Sequence, residues 1–143
     1  MPPSHVLVPL DGSPLADAAL EEALERFACR VTVLNVVTPV DATMSEGGIL
    51  GADDDRRENA RDRADRVVGR ARTRASAVDR TVETAVATGD PAERILAYVD
   101  DHDVDQVVMG GHGGDRSDVV RRVLGTVATT VVGEAPVTVT VVR

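Results

Sequence analysis

The fold is decided near the start of the chain, by the stretch His5-Val6-Leu7-Val8-Pro9-Leu10-Asp11-Gly12-Ser13-Pro14. Residues 5–10 form a short apolar run that predicts a buried strand, and residues 11–14 are typical of a turn. Ser13 before Pro14 suits a helix N-cap with proline in the first helical position. The residues that follow at helical spacing are apolar, namely Ala16, Leu20, Ala23, Leu24 and Phe27. The stretch therefore predicts a strand, a turn and an amphipathic helix.

This alternation of strand and helix repeats along the chain. Further strands are predicted over 31–37, 81–87, 105–109 and 137–142. Two further helices are predicted to begin at Asp53 and at Pro91, the latter with Asp90 as its N-cap. A fourth helix is predicted along an apolar stripe from Val120 to Val131, with Gly133 as its C′ residue. The order βαβαβαβαβ predicts an α/β fold with a single doubly wound, five-stranded parallel sheet and four helices.

The second predicted helix is long and solvated on most faces. Its narrow apolar stripe consists of Ala60, Ala64, Val67, Ala71, Ala75 and Val78. Asp62 and Arg66 are four residues apart, which predicts a supporting ion pair on the helix surface. Before this helix, the glycines of residues 41–52 indicate a mobile surface loop.

Composition indicates one domain, residues 1–143, with an aliphatic core. Hydrophobic residues make up 43% of the 143-residue chain, and Phe27 and Tyr98 are its only two aromatic rings. The single cysteine, Cys29, excludes an internal disulfide, and no Cys/His spacing resembles a zinc site, so a reducing cytoplasm is expected. No run approaches the ~18 apolar residues of a membrane span, and the N-terminus does not resemble a secretory signal.

The charges exclude several classes of function. The net charge is −8 and all sixteen positive charges are arginine, because the chain contains no lysine. A Walker A loop and a pyridoxal phosphate site both need a lysine. Nucleic acid is a poor partner for an acidic chain with two aromatic residues. The excess of aspartate over glutamate, 16 to 8, suggests a halophilic host, although a GC-rich genome also replaces lysine by arginine.

Three segments together resemble the universal stress protein family. They are Val8-Pro9-Leu10-Asp11-Gly12-Ser13, Thr88-Gly89-Asp90-Pro91, and Val108-Met109-Gly110-Gly111-His112-Gly113 with Leu124-Gly125-Thr126. The resemblance covers essentially the whole chain. It implies a strand order of 3-2-1-4-5 and, in nucleotide-binding members, ATP held across the carboxyl ends of strands 1 and 4. A physical argument agrees, because ligands of open α/β sheets bind where the strand order reverses.

The resemblance implies a set of nucleotide-contacting positions. These are Pro9, Leu10, Asp11, Val36, Met109, Gly110, His112, Gly113, Gly125, Thr126 and Val127. Glycines allow backbone N–H groups to approach phosphate oxygens, and the following helix N-terminus adds a partial positive charge. Asp11 is implied to contact the ribose or a phosphate-bound Mg²⁺, and Thr126 to donate to a phosphate. The alternatives are a turn cap for Asp11, strand core for Val36 and loop architecture for His112. For the glycines and Thr126, the alternatives are a simple turn and an ordinary helical position.

The chain departs from the family pattern in one spacing. Eleven residues separate Gly113 from Gly125, where the family pattern has nine. The insert carries Asp115 and Asp118, which repel phosphate, and Arg116, Arg121 and Arg122, which attract it.

The leading interpretation is therefore a cytoplasmic, ATP-binding stress-response module with at most slow hydrolysis, since no catalytic or metal constellation is evident. The family resemblance also implies a homodimer through the edge strand Val137–Val142. The first alternative is a dimeric interaction module that has lost nucleotide binding. The second is an adenylyl-transferring enzyme, which is disfavoured because Asp11-Gly12-Ser13 stands in place of a Ser-Gly-Gly-x-Asp-Ser motif.

Overall fold

The computed structural model describes residues 2–38, 52–112 and 124–143, with side chains in the second range described from residue 58 onward. Nine elements alternate along these ranges: β1 (His5–Pro9), α1 (Pro14–Arg26), β2 (Arg30–Val37), α2 (Ala52–Ser76), β3 (Glu83–Thr88), α3 (Pro91–Asp101), β4 (Gln106–Gly110), α4 (Thr126–Glu134) and β5 (Thr138–Val142). Most of the loop predicted over 41–52 lies outside the described residues, as do residues 120–123 of the fourth predicted helix.

The five strands form one parallel sheet in the order β3-β2-β1-β4-β5, which confirms the predicted fold class. β1 lies at the centre, where Val6 pairs with Val31 of β2 on one side and with Gln106 of β4 on the other. The strand order therefore reverses between β1 and β4. Ligands of this class of fold bind past the carboxyl ends of the two strands at such a point.

Two layers of helices cover the sheet and bury both of its faces. Val6 and Val8 of β1 face α1 and α2, whereas Leu7 between them faces α3 and α4. Side chains alternate along a strand, so a strand that is covered on both faces is apolar at most positions, and a polar residue there needs a hydrogen-bond partner. This requirement explains the uninterrupted apolar run at the start of the sequence.

The predicted helix starts at Ser13 and Asp90 are confirmed. The Ser13 hydroxyl accepts a hydrogen bond from the Ala16 N–H at 3.3 Å, and Pro14 occupies the first turn of α1. The Asp90 carboxylate accepts one from the Glu93 N–H at 3.0 Å at the start of α3. Each side chain satisfies a backbone donor that the helix itself leaves unpaired.

The end of α2 differs from the prediction. The Arg80 N–H donates to the Ala75 carbonyl at 2.9 Å and the Asp79 N–H to the Ser76 carbonyl at 3.1 Å, while Asp79 has a φ of 57°. These bonds are those of a Schellman motif, which ends the helix at Ser76. Val78 therefore lies beyond the helix and is 57% exposed, so placing it in the apolar stripe was wrong.

Two further details of the helices also correct the prediction. Asp62 and Arg66 form no ion pair in the described part of the chain. Gly133 lies inside α4, which ends at Glu134 with Ala135 in an extended conformation, so Gly133 is not a C′ residue. No helix in the described ranges has the length and apolarity required to span a membrane.

Asp105 lies just before β4, rather than in the strand, and its side chain holds the start of β1. Its Oδ2 atom accepts hydrogen bonds from the Ser4 N–H at 2.6 Å, the Ser4 hydroxyl at 2.8 Å and the His5 N–H at 2.7 Å. These bonds stabilise the ionised carboxylate and lower the pKa of Asp105 below its usual value, the Ser4 N–H contributing most. The interaction connects the first residues of the chain to the strand that pairs with β1.

We expect this contact to make the protein acid-sensitive. A carboxylate whose pKa is lower in the folded state contributes stability above its unfolded pKa and loses that contribution as the pH falls through the folded value. Asp105→Asn should therefore lower the free energy of unfolding at neutral pH, and its difference from the wild type should shrink on acidification. Urea unfolding at a series of pH values measures this, with Asp100→Asn as the control. Equal pH dependence of Asp105→Asn and wild type would contradict it.

Candidate functional site

A cavity of about 890 Å³ opens at the carboxyl ends of β1 and β4. Its walls come from the loop after β1, the end of β2, the N-terminal regions of α3 and α4, and the face of α2 that includes Ala60 and Ala64. The volume lies within the range of small-molecule sites in proteins. The cavity occupies the position that the reversal of strand order predicts for a ligand.

The structure brings together ten of the eleven predicted site residues. All ten line this cavity: Pro9, Leu10, Asp11, Val36, Met109, Gly110, His112, Gly125, Thr126 and Val127. Gly113 lies outside the described residues, as does the inserted segment that follows it. The predicted residues come from four separate parts of the chain, and the sheet topology places them on one cavity.

The loop after β1 is a tight turn in which Asp11 has a structural role. Its Oδ1 accepts a hydrogen bond from the Ser13 N–H at 2.9 Å, and Gly12 has a φ of 85°, which glycine adopts without strain. The capping role considered for Asp11 is therefore present. Its Oδ2 atom has no hydrogen-bond partner among the described residues, so the exposed carboxylate retains an acceptor at the cavity.

Asn35 also lines the cavity and was not predicted. It is a buried residue in the middle of the apolar strand β2, and its side-chain amide donates to the Leu10 carbonyl at 2.7 Å. The Leu10 N–H donates to the Leu34 carbonyl at 2.9 Å. These two bonds fix the end of β1 against β2. The available signal was a polar residue between Leu34 and Val36 in a buried part of the strand, because such a residue needs a specific partner.

Gly110 has a packing role that the sequence did not reveal. A Cβ atom at this position would lie 3.0 Å from the carbonyl carbon and the Cβ of Leu15, and 3.1 Å from the Ala16 nitrogen. The first turn of α1 therefore crosses β4 so closely that a side chain at residue 110 would force one of the two backbones to shift by a few tenths of an ångström. This contact is sufficient to explain the glycine, whether or not a phosphate binds beside it.

Gly125 and Gly111 connect the start of α4 to the end of β4. The Gly125 N–H donates to the Gly111 carbonyl at 2.6 Å, and the Gly111 N–H donates to the Val142 carbonyl at 2.8 Å. A Cβ on Gly125 would lie 3.3 Å from the Gly111 oxygen and from His112 Cα. The backbone contact holds the N-terminus of α4, with Thr126 as its first residue, at the cavity.

His112 carries two unsatisfied polar atoms at the cavity wall. Its Nδ1 and Nε2 atoms are both buried, and neither has a hydrogen-bond partner in the described part of the structure. Buried polar groups in proteins are paired in the great majority of cases. The imidazole beside the cavity therefore has hydrogen-bonding capacity that the described residues do not use.

Three arginines of α2 line the cavity, and none of them was predicted as a site residue. They are Arg63, Arg66 and Arg70. Asp11 is the only acidic residue among the described residues of the lining, so this described part of the lining carries an excess of positive charge in a chain of net charge −8. This charge distribution favours an anionic ligand. In the sequence, these arginines could not be distinguished from the others on a highly charged helix.

The described residues contain no group of three or more histidine, cysteine or carboxylate side chains that could hold a metal ion. The carboxylate of Asp11 is the one anionic oxygen donor that the described lining offers. A Mg²⁺ ion binds proteins through one or two carboxylates together with the phosphates of its ligand. The described residues therefore fit a Mg²⁺ that arrives with a phosphorylated ligand.

Comparison with known proteins identifies the relatives of this chain. The sequence model of the universal stress protein family matches residues 3–143. The structure of universal stress protein UspA from Lactobacillus plantarum is 28% identical, with a TM-score of 0.81 over 100% of this chain and 99% of that one. No curated protein gives a significant match.

Two further solved structures share the fold and contain nucleotides. A universal stress protein in complex with cAMP is 22% identical, with a TM-score of 0.72 over 100% of this chain and 99% of that one. A universal stress protein family protein from Arabidopsis thaliana with AMP bound is 20% identical, with a TM-score of 0.70 over 98% of this chain and 91% of that one.

We expect Gly110→Ala to destabilise the protein even without any ligand. The added methyl group meets the backbone of α1, so the free energy of unfolding should fall by about 1–3 kcal/mol. The matched control is Gly69→Ala in the middle of α2, where a Cβ has no atom within 4 Å. That change should raise stability by about 0.5–1 kcal/mol, because alanine favours helix. Denaturant unfolding measures both, and unchanged stability of Gly110→Ala would contradict the packing role.

Proposed function

The chain belongs to the universal stress protein family, and from that premise we propose that it is a regulatory module that binds an adenine nucleotide, with ATP as the preferred ligand. The main observation in support is that ten residues inferred from the family's nucleotide-binding pattern line one cavity. The cAMP and AMP found in two relatives support the same class of ligand.

The apolar side of the cavity suits the base. Val36 and Leu34 of β2 and Met109 of β4 line it, and Leu34 and Met109 are buried in the core that supports α3 and α4. A purine can pack against such aliphatic side chains and gain stability from the apolar area that it covers. In this proposal, the predicted role of Val36 as a contact of adenine and its role in the strand core are compatible.

The N-terminus of α4 suits the phosphates. α4 begins at Thr126, with Gly125 as its N-cap and no side chain satisfying the cap. The free backbone N–H groups and the helix dipole favour an anion at this end. In the proposal, Thr126 donates its hydroxyl to a phosphate oxygen, His112 supplies or accepts one hydrogen bond, and Asp11 is a ligand of the accompanying Mg²⁺.

The proposed activity is binding, with at most slow hydrolysis. Asp11 and His112 are the titratable groups near the proposed phosphates apart from arginine, and among the described residues neither forms a hydrogen bond to the hydroxyl of Ser13 or Thr126, which also line the cavity. A cytoplasmic location and a salt-adapted host are part of the same proposal, supported by the single cysteine and the lysine-free, aspartate-rich composition. The alternative remains an interaction module of the same fold that binds no nucleotide.

Isothermal titration of nucleotide-free protein with Mg-ATP tests the proposal. We expect saturable binding that Thr126→Val weakens about fivefold, because the loss of one hydrogen bond costs about 1 kcal/mol. Thr129→Val is the matched control, since Thr129 is exposed on the same helix and does not line the cavity. Absence of ATP binding by the wild type at both low and molar salt would support the alternative.

We further propose a homodimer formed by antiparallel pairing of β5. In the described sheet, β5 pairs with β4 alone. The Val142 carbonyl faces β4, where it accepts the Gly111 N–H, so by alternation the backbone groups of Val139 and Val141 point away from the sheet. An exposed row of such groups is a template for pairing with a second strand.

Val139→Pro should dissociate this dimer. Proline removes a backbone donor that faces the partner, and an edge strand tolerates proline where its N–H faces outward. Sedimentation velocity should give a dimer for the wild type and a monomer for Val139→Pro, with circular dichroism confirming that the variant is folded. A wild-type monomer across salt concentrations would contradict the proposal.

A further inference from the structure

α2 extends beyond the sheet and over the cavity. Its C-terminal part packs in the core through Ala71 and Ala75. Val67 lies beside the turn that follows β1, where its Cγ2 would be 3.5 Å from a Cβ on Gly12. α2 connects two parallel strands, so it runs antiparallel to them, from the carboxyl ends of the strands toward their amino ends. Residues 58–66 precede Val67 on this helix and therefore lie past the carboxyl ends of the strands. This is the end of the sheet at which the cavity opens.

The side of α2 that faces the cavity combines small residues with arginines. Ala60 and Ala64 are 4% and 2% exposed, and both line the cavity. Arg63 and Arg66 lie beside them, three residues apart and therefore neighbours on the helix surface. The two alanines allow the helix to approach closely, and the long arginine side chains can reach a ligand from its surface.

The arginines of α2 differ in what they already bind. Arg70 donates to the Gly12 carbonyl at 3.2 Å and pairs with Asp17, and Arg74 pairs with Asp17 and Glu21. Arg63 and Arg66, in contrast, form no ion pair and no hydrogen bond within the described residues. Asp62, which is well placed to neutralise Arg66, does not do so. The helix therefore presents two uncompensated guanidinium groups to the cavity of an acidic protein.

We propose that Arg63 and Arg66 form an anion-recognition pair that binds the outer phosphates of the nucleotide and selects polyphosphates over monophosphates. Guanidinium groups suit this task because their planar donors bind phosphate oxygens in pairs and keep their charge at any physiological pH. The preference for ATP over AMP rests on the proposed function, because both nucleotides must first bind at the proposed adenine site. Binding of an inorganic polyphosphate to the two arginines does not depend on that site. The pair adds positive charge to the cavity from the α2 side.

The experiment compares Mg-ATP, Mg-AMP and inorganic triphosphate by isothermal titration at constant ionic strength. The test variant is Arg63→Gln with Arg66→Gln. The matched control is Arg61→Gln, which removes one equivalent charge from an exposed position of α2 that does not line the cavity. Unfolding midpoints of all variants confirm that the fold is unchanged.

We expect the double variant to bind ATP and triphosphate at least about tenfold more weakly, the effect of losing a charge-assisted hydrogen bond. AMP affinity should change less than about twofold, and Arg61→Gln should bind all three like the wild type. An unchanged preference for ATP over AMP in the double variant would overturn the inference, as would an equal loss in Arg61→Gln.

The same data separate this inference from the proposed function. If the wild-type protein binds triphosphate through the arginines and binds ATP no more tightly than triphosphate, the result supports the arginine pair and refutes adenine recognition. Wild-type protein that binds AMP and ATP equally, and triphosphate not at all, supports adenine recognition and refutes the pair. Failure to bind any of the three refutes both.

Discussion

The reversal of strand order at the centre of the sheet is the constraint on which the rest of the molecule depends. β1 pairs with β2 on one side and β4 on the other, so the connections from β1 and β4 leave toward opposite faces. Because these two connections diverge, neither of them covers the space past the carboxyl ends of β1 and β4, and a cavity results there. Every residue that we associate with a ligand owes its position to this arrangement, since the contributing segments are far apart in the sequence.

The helices and strands could be predicted from the sequence because their signals are local. Ser13-Pro14 and Asp90-Pro91 indicate where two helices begin. The apolar run of β1 indicates that this strand is covered on both faces. The errors in the helix bounds arose where a helix ends. The Schellman motif after Ser76 needs a left-handed residue, and the chain uses Asp79, which is less diagnostic than glycine. Gly133 gave the opposite error, because a glycine inside α4 resembles the C′ residue that ends a helix.

The site could be predicted only in part, for a related reason. Family resemblance located the strand ends, and the fold gathered ten of those residues around one cavity. It did not identify Asn35, whose amide binds the Leu10 carbonyl, because a single polar residue in a strand does not reveal its partner. Nor did it separate Arg63 and Arg66 from Arg74, since all three belong to one charged helix. Their difference lies in the neighbours that the tertiary structure gives them.

The close crossing of α1 over β4 at Gly110 affects how related sequences should be interpreted. The short distance between two backbones favours glycine there, and this preference persists in a chain with no ligand at all. Natural selection for stability alone would therefore preserve the first glycine of the motif after nucleotide binding had been lost. Its presence in a relative is consequently poor evidence of that activity. Positions free of such packing demands, such as the exposed Thr126, are better indicators when homologues are sorted by ligand.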